Sequence, residues 1–358
     1  MQCVIDENLA YAEHFFGDHQ VIKKAGRGIQ AADLQRADAL LVRSVTQVTP
    51  QLLAATPVRF VGSATIGMDH LDLAGLVQSG ILVANAAGCN AQAVAEYVVT
   101  AILTLQPEML TAGQGFCLGI VGLGNVGQRL ARLAGRLGWR VVGYDPLQRV
   151  AGIEQVSLAV LLAESDAVSL HVPMVKHGEH ATYHLIQSEQ LALMPPQSIL
   201  INSSRGAVVA EADLLADIQD TGRRVVLDVF EHEPRISAEL LANLALATPH
   251  IAGYSLEGKA RGTEMIYQAF CKWQGVTPVR HMQEVMPAAP CWFDARPLTV
   301  QLAELLPQLY DIRRDDAALR ACVADAGVSQ GWVDAASFDQ LRRDYPLRRE
   351  WAAYGDQA

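Results

Sequence analysis

Several features that would place the protein in a membrane, outside the cell or around a metal are missing from its sequence. No apolar run among the 358 residues reaches the roughly 18 that a membrane-spanning helix needs. The N-terminus lacks the basic start and long apolar stretch of a signal peptide. The six cysteines are widely spaced and include no Cys-x-x-Cys pair. We therefore expect a cytoplasmic protein with reduced thiols, without a membrane span and without a metal site.

Positive charge is also scarce, since 28 Lys and Arg face 38 Asp and Glu and leave a net charge of -10. Nucleic acid is not expected as a partner, because phosphate backbones are bound by clustered Lys and Arg. A small anion can still bind where local charge opposes the net sign. The chain is 51% hydrophobic and 18% charged, which predicts a folded protein of two or three domains with a sizeable core.

The first 87 residues or so alternate short apolar runs with helix-like stretches. Strands are predicted over residues 3–5, 39–42, 59–61 and 81–83. Helical spacing is present at 31–37 and 71–78. This alternation is typical of a small α/β unit with a parallel sheet. Asn90 is a good N-cap for a helix over 91–105 that leads into a second domain.

The second domain repeats the alternation with longer elements. Its strands are predicted over residues 116–121, 140–144, 167–172, 198–202, 225–229 and 244–247. Strands that alternate with helices indicate a doubly wound parallel sheet. A helix over 256–273 follows, and three prolines between 278 and 290 then mark a linker. The segment 291–358 has three paired-charge patches and is predicted to form a small C-terminal domain.

A glycine-rich motif stands where the first strand of the second domain meets its helix. Gly122, Gly124 and Gly127, with Asn125 and Val126 between the last two, form a G-x-G-x-x-G pattern. The first glycine permits a tight turn, the second lets a pyrophosphate approach the backbone, and the third allows close packing of the helix. Free N–H groups at the helix start would hold the phosphates. The motif predicts dinucleotide binding.

Asp145 ends the next strand, 18 residues after Gly127. A carboxylate about 20 residues beyond the glycines commonly bonds the adenosine ribose 2′-hydroxyl. It would repel the 2′-phosphate of NADP, so NAD is the expected cofactor. The alternative is an aspartate that only caps a turn at the strand end.

Three consecutive strands of the second domain end in residues suited to hydroxy-acid oxidation. Arg205 follows one strand, Glu233 the next and His250 the third. Ligands of open α/β sheets bind beyond the carboxyl ends of the strands. A guanidinium can clamp a carboxylate through two bonds, histidine can take a hydroxyl proton near neutral pH, and a carboxylate can orient that histidine. Each residue alone could be a loop, cap or core group.

With these residues the chain resembles the D-isomer-specific 2-hydroxyacid dehydrogenases over residues 1 to about 280. The resemblance implies that Arg205 binds the substrate carboxylate, that Glu233 orients His250, and that His250 is the proton donor or acceptor. The implied α/β fold is a doubly wound parallel-sheet NAD-binding domain (91–254) and a flavodoxin-like discontinuous substrate domain (1–90 and 255–280). To these it adds a small C-terminal α+β dimerisation domain (291–358).

A narrower resemblance rests on the motifs at residues 42–46, 69–70, 88–91 and 250–262 and on the tail at 310–316 and 338–351. It is to a branch of that family that oxidises 4-phospho-D-erythronate at C2, a step toward pyridoxal 5′-phosphate, and that dimerises through its tail. By this resemblance the substrate contacts are Ser44, Thr65 and Tyr254. The further NAD contacts are Asp145, Ser203, Ser204, Asp228 and Gly253. Val172 stands where the family commonly has threonine.

Two other functions remain open from the sequence. One is dehydrogenation of another phosphorylated hydroxy acid, such as 3-phosphoglycerate, against which the tail argues. The other is a non-catalytic NAD-sensing protein, because corepressors of this fold keep the Arg, Glu and His. The Ser44 motif and the tail favour the enzyme. Formate dehydrogenases usually carry glutamine where Glu233 stands.

Overall fold

The computed structural model describes residues 1–110, 115–323 and 331–356. Its contacts divide the chain into two compact units. The first consists of Met1–Asn90 and Ser255–Ala289, and the second of Ala91–Tyr254 and Pro290–Ala358. None of the helices in the described ranges is both long and apolar enough to cross a bilayer.

The strands in chain order are β1 (Gln2–Asp6), β2 (Gln20–Lys24), β3 (Ala39–Val42), β4 (Phe60–Ser63), β5 (Leu82–Asn85), β6 (Cys117–Val121), β7 (Arg140–Tyr144), β8 (Glu154–Gln155), β9 (Ala167–Leu170), β10 (Ile199–Asn202), β11 (Arg224–Leu227) and β12 (Leu246–Ala247). The α-helices are α1 (Ala12–Phe16), α2 (Pro50–Leu53), α3 (Leu73–Gln78), α4 (Ala91–Leu105), α5 (Asn125–Arg136), α6 (Leu158–Glu164), α7 (Ser188–Leu191), α8 (Glu211–Thr221), α9 (Ala238–Asn243), α10 (Leu256–Gln274), α11 (Leu298–Leu309), α12 (Ile312–Arg320) and α13 (Ala335–Arg343). Short 3₁₀ helices cover Gly26–Gly28, Ala31–Leu34, Pro107–Leu110, Gly206–Val208, Met282–Glu284 and Trp351–Tyr354.

The first unit is built on a parallel sheet with the strand order β2-β1-β3-β4-β5. This is the flavodoxin-like order, as expected. Strands β3 and β4 are buried along their whole length, which explains the continuous apolar sequence of β3. Helix α10 returns to this sheet and packs closely on β4, because a Cβ added to Gly62 would lie 2.3 Å from Ile266 Cγ2.

The second unit contains a parallel sheet with the order β12-β11-β10-β9-β6-β7-β8. Its first strand, β6, has β7 on one side and β9 on the other, so the strand order reverses at β6. This confirms the doubly wound NAD-binding fold, in which ligands bind at the carboxyl end of the sheet near such a reversal.

The sequence prediction missed two strands, β2 and β8, and both lie at a sheet edge. Strand β2 contains no fully buried residue and β8 has only two residues, so neither has the apolar run that marks an interior strand. The helix predicted over 31–37 is a 3₁₀ helix, Ala31–Leu34. The strand predicted over 167–172 ends at Leu170.

The C-terminal segment packs inside the second unit. Phe293, Leu302, Ile312 and Trp351 share one hydrophobic core with residues of α4 and α5, and Trp351 is 2% exposed. The paired charges of this segment are not uniformly at the surface, since Glu350 is also 2% exposed. Residues 324–330 and 357–358 of the predicted C-terminal domain lie outside the described residues.

Candidate active site

The glycine loop, residues 122–127, joins β6 to α5. Gly122 has a φ of 92°, and a Cβ there would lie 2.5 Å from the His171 carbonyl oxygen. Only glycine tolerates both conditions. Gly124 is the N-cap of α5, and a Cβ added there would meet no atom within 4 Å. The loop is therefore tightly held at its first glycine and open at its second, which suits a phosphate group above the N-terminus of α5.

Gly127 has a different role from the other two glycines. A Cβ at this position would lie 2.1 Å from the Gly122 carbonyl oxygen, so the first turn of α5 packs against the loop's own backbone. Asn125 is exposed and Val126 half-buried on the same turn. Their backbone N–H groups lie in the first turn of α5, where N–H groups have no carbonyl acceptor within the helix.

Asp145 follows β7 and faces the glycine loop. Its carboxylate accepts hydrogen bonds from Leu123 N (2.9 Å), Leu147 N (2.9 Å) and Gln148 Nε2 (2.9 Å). Burial would raise the pKa of Asp145, but these hydrogen bonds outweigh it and hold the pKa below its usual value. Asp145 is thus a charged carboxylate at the expected ribose position, and it also caps the turn.

The loop after β10 carries three of the predicted site residues. Asn202 Oδ1 accepts hydrogen bonds from Ser204 N (3.1 Å) and Ser204 Oγ (2.9 Å), and Asn202 Nδ2 donates to Arg205 O (2.9 Å). Ser203 Oγ is buried and finds no hydrogen-bond partner among the residues that the structure describes. A buried hydroxyl without a partner is costly, so Ser203 fits a group that binds a cofactor such as NAD.

Arg205 lies beside the loop that follows the neighbouring strand. Its Nη1 donates to Ser204 O at 2.7 Å. The adjacent Gly206 packs so closely on that loop that a Cβ would lie 1.9 Å from the Phe230 carbonyl carbon. The ends of β10 and β11 therefore meet, with Arg205 at their junction.

The Glu233 carboxylate joins the ends of β11 and β12. Its Oε2 lies 2.8 Å from His250 Nδ1, and its Oε1 accepts a hydrogen bond from Phe230 N at 2.8 Å. Burial would raise the pKa of Glu233, but His250 and these hydrogen bonds hold the pKa below its usual value. An ionised Glu233 at Nδ1 leaves His250 Nε2 for a reacting group.

The backbone around His250 is held by Asp228, which directly follows β11. Asp228 Oδ1 accepts hydrogen bonds from Ile251 N (2.7 Å) and Thr248 Oγ1 (2.6 Å), and Oδ2 accepts one from Ala252 N (3.0 Å). Burial raises the pKa of Asp228. This aspartate was expected at the cofactor, and its contacts give it a second role, support of the His250 loop. Gly253 continues that loop and is half-buried.

The predicted substrate residues are divided between the two units. Ser44 is exposed just beyond β3. Thr65 follows β4, and its Oγ1 lies 2.8 Å from Ser63 Oγ, which in turn lies 2.9 Å from His70 Nε2. Tyr254 belongs to the second unit, where its ring meets that of Tyr345 edge-to-face at 5.9 Å.

Two cations of the first unit were not singled out as a pair by the sequence. Arg43, at the end of β3, forms a bidentate ion pair with the buried Asp6 (3.1 and 3.2 Å). Lys259 lies in the first turns of α10. Burial, and then the positive charge of Arg43, lower the pKa of Lys259 to about 8. No pattern in the sequence links these residues, because they are 216 positions apart.

Two arginines of the C-terminal segment lie close to Glu233 and to the loop that carries His250. Arg348 bonds the backbone that follows His250. Arg342 interacts with Tyr254 and with the charge of Glu233. In the sequence both arginines stand in paired-charge patches, which gave no signal of these contacts.

Metal ligands do not gather in the described part of the chain, where no group of three His, Cys, Asp or Glu side chains could hold an ion. His180 and His184 have the spacing of two ligands on one helix, but their segment is not helical. His184 Nε2 instead lies 2.7 Å from Glu231 Oε1.

Comparison with known sequences identifies the family. Residues 50–252 match the model of the D-isomer specific 2-hydroxyacid dehydrogenase NAD binding domain, and residues 293–355 match a domain of unknown function. An erythronate-4-phosphate dehydrogenase of Acinetobacter baumannii (strain ACICU) is 56% identical over 356 residues, 99% of either chain. One of Acinetobacter baylyi is 52% identical over the same share.

Comparison with solved structures supports the fold. D-lactate dehydrogenase of Aquifex aeolicus, which was solved with NAD and lactic acid, superposes with a TM-score of 0.62 at 24% identity. The match covers 77% of this chain and 96% of that one. The family model and the full-length relatives lead to one identification. The chain belongs to the D-isomer-specific 2-hydroxyacid dehydrogenases, which are NAD-dependent oxidoreductases, and within them to the erythronate-4-phosphate dehydrogenases.

Proposed function

We propose that the protein oxidises the 2-hydroxyl of 4-phospho-D-erythronate to the 2-oxo acid with NAD, in the biosynthesis of pyridoxal 5′-phosphate. The observation that carries the proposal is the contact of Glu233 Oε2 with His250 Nδ1 at 2.8 Å, on the strand ends of an NAD-binding sheet. The substrate is taken from the relatives of 56% and 52% identity, whose name states it.

His250 is the acid–base group of this reaction. In the oxidation, Nε2 of the neutral imidazole takes the proton of the C2 hydroxyl, and the imidazolium that forms is stabilised by Glu233 at Nδ1. In the reverse direction the imidazolium returns that proton to the oxygen at C2. Glu233 is ionised for this role, since its pKa lies below the usual value.

The second unit has the groups to hold NAD, which supplies the hydride acceptor when bound. The pyrophosphate would be held by the glycine loop and the ribose by Asp145. Ser203, Ser204, Asp228 and Gly253 are the further proposed contacts. Arg205 would bind the substrate carboxylate through both of its terminal nitrogens and polarise the C2 oxygen.

A phosphate on the substrate suits the charge of the first unit. Arg43 and Lys259 are close enough for the charge of one to lower the pKa of the other. A dianion near them would offset this repulsion, whereas an apolar substrate would not. Ser44 and Thr65, proposed substrate contacts in the same unit, can donate hydrogen bonds to phosphate oxygens.

The test compares initial rates of NADH formation with 4-phosphoerythronate, erythronate and 3-phosphoglycerate. We expect kcat/KM to be highest for 4-phosphoerythronate, with kcat and KM both worse for erythronate, because phosphate binding helps to position C2. Ser44→Ala should narrow the difference in kcat/KM between 4-phosphoerythronate and erythronate. Ser79→Ala, which removes an exposed hydroxyl at the end of α3, should leave this difference unchanged.

Three results would contradict the proposal. Equal kcat/KM for the phosphorylated and plain acids would leave a general 2-hydroxyacid dehydrogenase, and a preference for 3-phosphoglycerate would identify a different phosphorylated substrate. Quenching of NADH fluorescence on binding, without turnover of any acid, would indicate an NAD-sensing protein.

We also propose that the protein works in the cytoplasm as a homodimer held by its C-terminal segment. Because that segment supplies core side chains such as Leu302 and Trp351, its removal would expose the core. Light scattering of the full chain is therefore the better test. The expected mass is twice the 38.7 kDa of one chain; the mass of one chain across the working concentration range would contradict the dimer.

A further inference from the structure

The two residues after His250 are held from both sides of their backbone. The N–H groups of Ile251 and Ala252 donate to the carboxylate of Asp228. Their carbonyl oxygens accept hydrogen bonds from Arg348, which reaches Ile251 O with Nη1 at 3.0 Å and Ala252 O with Nη2. An anion and a cation therefore clamp the same dipeptide.

Arg348 belongs to the C-terminal segment, beyond α13, and its own position is well defined. Nη2 also donates to Ala93 O in the first turn of α4 at 3.3 Å, and Nη1 donates to Tyr345 Oη at 3.2 Å. The guanidinium carbon lies 4.6 Å from the centre of the Tyr310 ring, a cation–π contact. The planar group thus ties α4 and the tail to the loop that carries His250.

The clamp matters because His250 has an unusual backbone conformation. Its φ is 57°, in the left-handed region that few non-glycine residues adopt and that costs free energy unless the surroundings hold it. The direction of the imidazole from this backbone brings Nδ1 to Glu233. A relaxed loop would release His250 to an ordinary φ and turn the ring away from the carboxylate.

We propose that Arg348 is a positioning residue for proton transfer, and that the C-terminal segment thereby completes the active site. The inference rests on the proposed acid–base role of His250. It gives the tail a function in catalysis within its own chain, separate from dimerisation. Asp228 fixes the N–H groups and Arg348 the carbonyl groups, and both are needed to hold the left-handed turn.

The experiment compares Arg348→Lys with Arg136→Lys. Lysine keeps the charge, but one ammonium cannot reproduce the planar fork that bonds separate carbonyls. Arg136, the last residue of α5, also links the nucleotide-binding part to the C-terminal segment, through a bidentate pair with Asp356. It does not contact the His250 loop, so it serves as a control for tail docking and stability.

In Arg348→Lys we expect kcat to fall about tenfold or more, because a small misplacement of a reacting group is costly. The midpoint of the pH–rate profile should move to lower pH, since His250 loses its close contact with Glu233. A loss of stability alone would not move that midpoint. In Arg136→Lys, kcat should stay within about twofold and the profile should not move, even where the melting temperature falls.

Wild-type kcat with an unmoved profile in folded Arg348→Lys would overturn the inference, as would an equal loss of kcat in Arg136→Lys. If Arg348→Lys does not fold, Tyr345→Phe removes one acceptor of the guanidinium and should shift the profile in the same direction, with a loss of about threefold in kcat. An unmoved pH–rate profile in Tyr345→Phe would also overturn the inference. Failure of the acid–base assignment itself is detected separately by His250→Asn.

Discussion

Glu233 and His250 are linked by a 2.8 Å contact between Oε2 and Nδ1, although they lie 17 positions apart and follow different strands. Of the pair, Glu233 is 20% and His250 35% exposed at the side chain. The carboxylate is thus largely shielded and the imidazole still reaches solvent on its other side. This arrangement directs Nε2 of His250 outward, where it can exchange a proton with a substrate.

Replacement of His250 by asparagine should remove the proton-transfer group. We expect kcat to fall about 10²- to 10⁴-fold, the usual contribution of one general acid–base residue. His184→Asn is a matched control, because His184 also pairs with a glutamate, Glu231, at 2.7 Å. Near-normal turnover by His250→Asn in a stopped-flow assay would remove His250 from the mechanism.

The pH dependence should depend on Glu233. Oxidation needs neutral imidazole and reduction needs imidazolium, so oxidation should speed up with rising pH while reduction slows. Glu233→Gln removes the negative charge that stabilises the imidazolium. The midpoints of both profiles should then move to lower pH. Profiles that superpose on those of the wild type would show that Glu233 does not act on His250.

Cofactor choice should depend on the charge of Asp145. Asp145→Asn keeps the size of the side chain and one oxygen for the loop N–H groups, but it no longer repels a 2′-phosphate. We expect the preference for NAD over NADP, as a ratio of kcat/KM, to narrow about tenfold or more, since hydrogen bonds to charged groups contribute about 1.5–3 kcal/mol. Gln148→Ala removes a neighbour of Asp145 but leaves the charge of Asp145 in place. The ratio of kcat/KM with NAD to that with NADP should therefore stay the same. An unaltered ratio in Asp145→Asn would rule out ribose recognition by this residue.

Arg205 should not be replaceable by lysine. A single ammonium cannot form two parallel bonds to a carboxylate, so Arg205→Lys should raise KM for the hydroxy acid and lower kcat, each by about tenfold. Arg224→Lys is the control, because Arg224 lies at the opposite end of the sheet, where β11 begins. If steady-state kinetics are unchanged and only the melting temperature falls, Arg205 has a structural role.

Lys259 should make stability depend on alkaline pH. Its pKa is about 8 in the folded protein against 10.5 ordinarily, so the unfolded chain binds more protons between these values and stability rises with pH there. The charged, half-buried lysine is least favourable below pH 8. Relative to Lys259→Met, the wild type should gain in melting temperature from about pH 8 to 10.5. Lys272→Met, at an exposed position of the same helix, should show no such trend, and a constant difference for Lys259→Met would contradict the prediction.

The active-site motifs could be recognised from the sequence because each belongs to a local pattern. A strand, a glycine loop and a helix follow one another in the sequence around residues 117–136, and the order of strands in a doubly wound sheet brings successive strand ends together. Arg205, Glu233 and His250 could therefore be placed on neighbouring strand ends. That Glu233, rather than Glu231, contacts His250 is a matter of side-chain direction, which the structure shows.

The edge strands and the roles of the C-terminal arginines could not be predicted from local sequence patterns. Strand β2 is largely exposed and has little hydrophobic pattern. Arg348 stands in a run of charged residues that is typical of a surface, and its three carbonyl partners are 96, 97 and 255 positions away.

The sequence by itself determined the family, the nucleotide-binding fold and the three strand-end residues, because these depend on hydrophobic periodicity and on residues adjacent in the chain. Only the tertiary structure decided that Asp228 and Arg348 hold opposite sides of the dipeptide after His250. It also decided that Arg43 and Lys259 influence each other, and that the tail shares the core of the nucleotide-binding part. These relationships join residues far apart in the chain. They arise only when packing brings charged groups close to each other or to backbone groups that need a partner, and brings apolar side chains into one core.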